Sequence, residues 1–172
     1  MEIEWDMVIK GRVWRFGDNV DTDQIYPGKY LPLTDEKEMA NHAMEGTERG
    51  EEFIKRVRKG DIIVAGKNFG CGSSREQAVI ALKGIGISLV VASSFARIFY
   101  RNAVNRGLFI LESPTIEGLR DGDVLQVDLR SGEIMNITTS KRYKAKPLSG
   151  LEMDILRAGG LISYLKSETR KD

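Results

Sequence analysis

The sequence predicts an α/β domain with a core of parallel strands joined by helices and a β-hairpin at one flank. Short apolar runs at residues 61–65, 87–92 and 108–111 are separated by helix-like segments, which is the pattern of a parallel sheet. Two later runs alternate polar and apolar residues on either side of a glycine turn, as in a hairpin. A length of 172 residues, 41% of them hydrophobic, fits a single domain over residues 1–172.

Each predicted element has a local signal, because strands are short apolar or alternating runs and helices begin after a polar residue that can cap them. The predicted strands are Val8–Trp14, Asp61–Ala65, Ile87–Ala92, Leu108–Leu111, Val124–Leu129 and Glu133–Thr138. The predicted helices are Asp35–Met44, Glu51–Arg58, Arg75–Lys83, Ser94–Arg106 and Leu148–Arg157. Capping-box spacing joins Asp35 with Glu38, Ser73 with Glu76 and Ser74 with Gln77, and Ser94 can cap the next helix.

Composition excludes several classes of function. Lysine and arginine number 26 against 25 aspartate and glutamate, so a net charge of +1 creates no field that attracts nucleic acid or anionic membrane. No apolar run approaches the roughly 18 residues of a membrane span. The segment Met1–Asp6 is acidic and lacks the apolar region of a signal peptide, which favours a cytoplasmic protein.

Metal binding by this chain alone is not expected. The sequence has one cysteine, Cys71, and one histidine, His42. A zinc site or an iron–sulfur cluster needs about three or four such ligands. Any metal would therefore be shared with a partner or held by oxygen ligands.

The segment Asn68–Arg75 has the character of an anion-binding loop. It lies between a predicted strand and a predicted helix, and its glycines permit close backbone approach. A helix N-terminus attracts anions, and Arg75 can bind a carboxylate through two hydrogen bonds. The alternative is purely structural, since helix capping alone would explain Ser73 and Ser74.

Three motifs are similar to those of one known family. Gly70–Glu76 reads GCGSSRE, Ser94–Phe99 reads SFARIF, and Asp18–Leu31 begins with DNVDTDQI and ends with PGKYL. In this order they resemble the signature segments of the mobile swivelling domain of the aconitase superfamily, whose fold is a β/β/α layer. The resemblance covers roughly residues 12–111, and the remaining length is compatible with a separate small subunit.

The resemblance implies a role in a split hydro-lyase. In such enzymes a larger subunit carries a [4Fe-4S] cluster, and the small subunit closes over the site in a heterodimer or heterotetramer. By motif position Ser73 would be the catalytic base, and Ser74 and Arg75 would hold a carboxylate of a small di- or tricarboxylate substrate. A helix N-terminus and a nearby guanidinium would both favour the serine alkoxide.

The segment Tyr30, Leu31, Pro32, Leu33 and Thr34 would read the variable end of the substrate, as the corresponding loop does in the family. It offers apolar surface and no arginine, so a buried third carboxylate would be costly there. We therefore favour the isomerisation of 2- and 3-isopropylmalate in leucine biosynthesis. Dimethylmalate or citramalate, homoaconitate, and a non-catalytic binding module of the same fold are the alternatives.

Other polar residues have structural interpretations. Cys71 fits a tight turn without a catalytic role, and His42 is expected to be solvated on a polar helix. Asp21 and Asp23 are expected to fix their own loop by side-chain hydrogen bonds to the backbone. Arg97 is compatible with a solvated helix face, whereas the family resemblance implies a position close to the site.

Overall fold

The computed structural model describes residues 7–170, so the predicted absence of a signal segment at Met1–Asp6 falls outside it. The strands are β1 (Val8–Arg15), β2 (Ile62–Ala65), β3 (Leu89–Ala92), β4 (Phe109–Glu112), β5 (Val124–Asp128), β6 (Glu133–Asn136) and β7 (Arg142–Lys144). The helices are α1 (Thr22–Ile25), α2 (Glu36–Ala40), α3 (Gly50–Arg56), α4 (Glu76–Gly84), α5 (Arg97–Arg106), α6 (Gly150–Ala158) and α7 (Leu161–Thr169). None of the helices within residues 7–170 has the length and hydropathy of a membrane span.

The strands form one mixed sheet in the order β4-β3-β2-β1-β5-β6-β7. From β1 to β4 all neighbours are parallel, and α4 and α5 connect β2 to β3 and β3 to β4. From β1 outward through β5, β6 and β7 the pairing is antiparallel. The predicted parallel core and the predicted hairpin are therefore both confirmed, and β1 joins them.

Apolar residues alternate between two buried clusters on opposite faces of the parallel strands. In β3, Val90 and Ala92 belong to the cluster beneath the helices, whereas Leu89 and Val91 belong to the other. That second cluster also contains Leu125 and Ile134 from the antiparallel strands. The sheet therefore curls so that its antiparallel half covers the face that the helices leave open, and both faces of β2 and β3 are buried.

A buried carboxylate ties β1 to the start of β2. Asp61 is 3% exposed and accepts hydrogen bonds from the Trp14 indole Nε1 at 2.9 Å and from the Arg58 backbone N–H at 2.9 Å. Arg12 completes the arrangement with its Nη2 atom 3.2 Å from the carboxylate. Since a buried charge is tolerated only when it is paired and hydrogen-bonded, these contacts hold the two strands in register.

Some predicted elements differ from the structure. The helix predicted for residues 35–44 ends at Ala40, and the Asp35 side chain caps it through Lys37 N rather than the predicted Glu38. The elements α1, β7 and α7 had not been predicted, because each is short or lacks a clean apolar period. The closing helix α6 is confirmed, with a capping box between Ser149 and Glu152.

The predicted caps of α4 and α5 are wrong. The N-cap of α4 is Arg75 and that of α5 is Ala96, and neither helix has a capping side chain. Ser94 instead accepts a hydrogen bond from the Asn68 backbone N–H at 2.8 Å, which secures the preceding loop. Consequently Ser73 and Ser74 are not used as helix caps.

Candidate functional site

The three sequence motifs meet at the carboxyl ends of β2 and β3. Cys71 pairs with Asp21 in a short parallel bridge, and Phe69 pairs in the same way with Phe95. The Thr22 backbone N–H donates to the Cys71 carbonyl at 2.8 Å, which closes the first of these bridges. The loop with the GCGSSRE signature is therefore held on both sides by the other two motifs.

Two glycines allow this loop to turn. Gly70 has φ of +84° and Gly72 has φ of +98°, values that favour glycine. A Cβ atom at Gly70 would lie 2.2 Å from Cγ of Phe99, so side chains are also excluded there by contact. At Gly72 the nearest atom to a Cβ would be the Thr22 Oγ1 at 3.3 Å, which leaves less steric conflict.

Both serines of the loop are exposed, so a ligand could reach their hydroxyl groups. Within residues 7–170 neither the Ser73 nor the Ser74 hydroxyl makes a hydrogen bond. The backbone of Ser73 is nevertheless fixed, because the buried Thr22 donates from Oγ1 to its carbonyl at 2.9 Å. The structure therefore removes the capping explanation and leaves a firmly held serine with a free hydroxyl just before α4.

Arg75 links the serine loop to the amino-terminal motif. Its Nη1 atom lies 2.8 Å from the Asp23 carboxylate and donates to the Tyr26 carbonyl at 3.0 Å. The hydrogen bond from Arg75, together with that from the Gly28 N–H, holds the pKa of Asp23 below its ordinary value. Because Nη1 is committed, Arg75 has only its remaining donors for a substrate carboxylate.

The predicted loop-fixing role of Asp21 and Asp23 is confirmed. Asp21 forms a capping box with Gln24 at the start of α1. Asp23 accepts from the Gly28 backbone N–H at 2.8 Å as well as from Arg75. Both carboxylates therefore bind the backbone, and Asp23 also pairs with the Arg75 guanidinium.

A cleft of about 550 Å³ opens beside the two serines. Its wall is formed by the signature loop, by Thr22 and by the start of α5, and its lining residues are Thr22, Gly70, Gly72, Ser73, Ser74, Arg75, Ala96, Arg97, Ile98, Phe99, Arg101 and Asn102. The structure thus brings Arg97 and Arg101 together with the serines. Two further clefts, of about 590 and 650 Å³, contain neither serine. Thr22 and Asn102 were not singled out from the sequence, since a lone threonine or asparagine carries no distinctive pattern.

The donors of an iron–sulfur cluster are not present in this chain. Cys71 is a single, partly buried thiol, and its carbonyl serves the loop backbone. Among residues 7–170 no group of three or more histidine, cysteine, aspartate or glutamate side chains could hold a metal ion. A [4Fe-4S] cluster needs about four thiolates, so these residues do not fit it.

Tyr30 anchors the predicted specificity segment. Its hydroxyl donates to Glu45 at 2.9 Å, its carbonyl accepts from the Tyr26 hydroxyl at 2.6 Å, and its ring stacks on His42 with centroids 3.6 Å apart. His42 in turn contacts Glu45 through Nδ1 at 2.6 Å. The prediction that His42 is merely solvated is therefore wrong, because it belongs to this cluster.

The remainder of the segment is more accessible. Leu31, Pro32 and Thr34 are exposed, whereas Leu33 is half-buried against the core. None of residues 30–34 lines the cleft. The nearby Gly28 does approach the signature loop. A Cβ atom added at Gly28 would lie 3.4 Å from Nη2 of Arg75.

The fold and the serine-bearing loop agree with what the resemblance to the swivelling domain of the aconitase superfamily predicts, and the comparisons with known proteins identify the same class. A sequence profile of the aconitase C-terminal domain matches residues 12–115. The 3-isopropylmalate dehydratase small subunit of Caldicellulosiruptor bescii is 51% identical, over 96% of this chain and 99% of that protein. The methanogen homoaconitase small subunit of Methanocaldococcus jannaschii is 56% identical, over 93% of this chain and 92% of that protein.

A solved structure agrees with these sequence matches. The crystal structure of 3-isopropylmalate dehydratase from Methanocaldococcus jannaschii has a TM-score of 0.89 and 55% identity, covering 95% of this chain and 96% of that one. The chain belongs to the aconitase C-terminal domain family, in the group of small subunits of 3-isopropylmalate dehydratase and its close relatives. The predicted family and fold class are thereby confirmed.

Proposed function

We propose that this chain is the base-supplying small subunit of a hydro-lyase that interconverts 2-isopropylmalate and 3-isopropylmalate in the cytoplasm. The observation that carries the proposal is the pair of exposed Ser73 and Ser74 hydroxyls, which no described residue engages, although Thr22 holds the Ser73 backbone carbonyl. A firmly held group with a free hydroxyl is suited to contact a substrate.

In this proposal Ser73 is the catalytic base. Its alkoxide takes the proton from the carbon next to a substrate carboxylate, and hydroxide leaves from the neighbouring carbon to give the unsaturated acid. Water then adds in the opposite sense, so the hydroxyl and the hydrogen exchange positions. The positive end of α4, whose first turn has no capping side chain, favours the alkoxide over the neutral hydroxyl.

Ser74 and Arg75 are proposed to hold a substrate carboxylate. Ser74 is exposed beside Ser73, and Arg75 retains donors other than Nη1. A guanidinium binds a carboxylate with fixed geometry, which places the acidic C–H against Ser73. The contact of Arg75 with Asp23 also keeps the guanidinium oriented in the absence of a ligand.

The Lewis acid of the reaction is proposed to belong to another polypeptide. The family resemblance implies a [4Fe-4S] cluster on a large subunit, which would assist departure of the hydroxyl group. The donors in this chain do not fit such a cluster. This chain would instead close over the active site and supply one side of it. We propose assembly with that subunit as a heterodimer or heterotetramer.

The substrate proposal depends on Leu31, Pro32, Leu33 and Thr34. These residues carry no charge. The nearest cation in the sequence is Lys29, and its Nζ atom lies 5.2 Å from the centre of the Tyr30 ring. An isopropyl group would gain roughly 0.8 kcal/mol for each carbon buried there. A third carboxylate would lose hydration without a cationic partner among these four residues, so homoaconitate is disfavoured.

A specific observation keeps homoaconitate as the second candidate. The homoaconitase small subunit of Methanocaldococcus jannaschii is 56% identical to this chain, slightly more than the 51% of the Caldicellulosiruptor bescii dehydratase subunit. Overall identity therefore does not separate the two substrates. Only the chemistry of the specificity segment favours isopropylmalate.

Reconstitution tests the proposal. The chain and its large subunit, purified separately and combined under anaerobic conditions, should convert 2-isopropylmalate, whereas the chain alone should be folded and inactive. kcat/KM for isopropylmalate should exceed that for homoaconitate by about a hundredfold, corresponding to about 2.7 kcal/mol. Equal values would reject the substrate but keep the reaction class. No dehydration of any malate-type substrate by the assembled pair would reject the function.

A further inference from the structure

Tyr30, the first residue of the specificity segment, is held by two side chains from a later part of the chain. Its ring stacks on His42, with ring centroids 3.6 Å apart and 14° between the planes. Its hydroxyl donates to Oε1 of Glu45 at 2.9 Å, and Nδ1 of His42 lies 2.6 Å from Oε2 of the same carboxylate. Each of the three side chains therefore contacts the other two, and together they are called the Tyr30 clamp.

The chain that carries this clamp is bound to α1 by its backbone. The Met44 N–H donates to the Ile25 carbonyl at 2.7 Å, and the Gly46 N–H donates to the Gln24 carbonyl at 2.9 Å. Both Met44 and Ile25 are fully buried. The position of the clamp relative to α1 is therefore fixed by main-chain hydrogen bonds and core packing rather than by exposed side chains.

The end of α1 also connects the clamp to Arg75. Tyr26 follows α1 and is fully buried. Its hydroxyl donates to the Tyr30 carbonyl at 2.6 Å, and its own carbonyl accepts from Nη1 of Arg75 at 3.0 Å. One buried residue thus sets the distance between the arginine proposed to hold a substrate carboxylate and the start of the segment proposed to contact the substrate branch.

Beyond Tyr30 the specificity segment has few attachments. Leu31, Pro32 and Thr34 are exposed, and Leu33 is half-buried against the core. A loop that must be ordered when a ligand binds loses affinity, whereas one already held in place does not. The ability of this segment to bind one branch in preference to another therefore depends on how firmly Tyr30 is held.

On the basis of the proposed dehydratase activity, we propose that His42 and Glu45 are positioning residues for substrate specificity. They act through Tyr30 and hold the specificity segment where it meets the branch of the substrate. A role in domain stability alone would affect every ligand of the site equally. A positioning role affects only those ligands that carry the branch.

The test uses the assembled enzyme with 2-isopropylmalate as substrate. Malate, which has the two carboxylates and the hydroxyl but no branch, is the competitive inhibitor. His42→Ala and Glu45→Ala should each raise KM for 2-isopropylmalate about fivefold, with kcat changed less than about twofold and the Ki of malate unchanged. His42→Phe should keep most of the wild-type affinity, because an aromatic ring can still stack on Tyr30. Glu48→Ala is the matched control, since Glu48 is exposed in the same part of the chain and should change no constant.

The possible results separate the two proposals. An inactive wild-type pair would reject the proposed function itself. An active pair whose KM is unaffected by both His42→Ala and Glu45→Ala would overturn the positioning role. Equal increases in KM and in the Ki of malate would overturn it as well, because they would show a general loss of the site. If His42→Ala prevents folding, Tyr30→Phe decides instead: it removes only the hydroxyl that donates to Glu45, and an unchanged KM would overturn the proposal.

Discussion

Replacement of Ser73 by alanine should separate catalysis from stability. The hydroxyl is exposed and makes no hydrogen bond within the described residues, and Thr22 contacts only the Ser73 backbone carbonyl. The free energy of unfolding should therefore change by less than about 0.5 kcal/mol. Loss of the base should lower kcat by a factor of about 10² to 10⁴, which corresponds to roughly 2.7–5.4 kcal/mol of transition-state stabilisation.

The assay combines thermal or urea unfolding of the isolated chain with steady-state kinetics of the assembled pair. Ser167→Ala is a suitable control, because Ser167 is exposed on α7 and lies outside the cleft lining. It should leave both stability and kcat unchanged. Near-normal turnover of Ser73→Ala, with the subunits fully associated, would refute the assignment of the base.

Three further substitutions test other parts of the site and the fold. Gly70→Ala should destabilise the chain by about 2–5 kcal/mol, because alanine would be strained at this left-handed φ and its Cβ would clash with Phe99. A decrease below about 1 kcal/mol in the free energy of unfolding, measured with urea, would show that the clash does not occur. Asp61→Ala should cost about 2–4 kcal/mol, because the Trp14 indole N–H and the Arg58 N–H lose their acceptor. Glu51→Ala, which breaks only an exposed ion pair with Lys55, should leave the midpoint of the same unfolding assay nearly unchanged. Arg75→Lys should chiefly raise KM. The Arg75–Asp23 pair should persist at neutral pH, because Arg75 lowers the pKa of Asp23 and the pair is lost only as pH falls through that lowered pKa. An Asp23 titration seen by NMR at or above the ordinary pKa of aspartate would disagree.

The sequence was sufficient to predict the parallel core and the hairpin. The apolar run Ile87–Ala92 lies between Gly86 and Ser93, and its residues Leu89–Ala92 are buried on both faces, as a central strand requires. The hairpin could be predicted because polar and apolar residues alternate in β5 and β6, on either side of a turn at Gly132, whose φ is +79°. Short elements without such periods, including β7 and α7, required the tertiary structure.

Helix caps predicted from sequence spacing alone were often wrong. Ser94 has the spacing of a cap for α5, yet its hydroxyl oxygen accepts from the Asn68 N–H in another segment. His42 likewise stacks on Tyr30, twelve residues earlier, instead of facing solvent. Both outcomes depend on partners brought close only by folding, so no local pattern could have predicted them.

Motif order and hydrophobic periodicity are properties of the chain, so they were enough to predict the family, the fold class and the serine-bearing loop. That Ser73 and Ser74 are unengaged is visible only in the folded molecule, because it depends on α4 not using them as caps. The same holds for the pairing of Arg75 with Asp23 and for the position of Arg97 and Arg101 at the cleft. Hydrogen bonds and ion pairs form between residues distant in sequence, whereas periodicity records only which side of each element is buried.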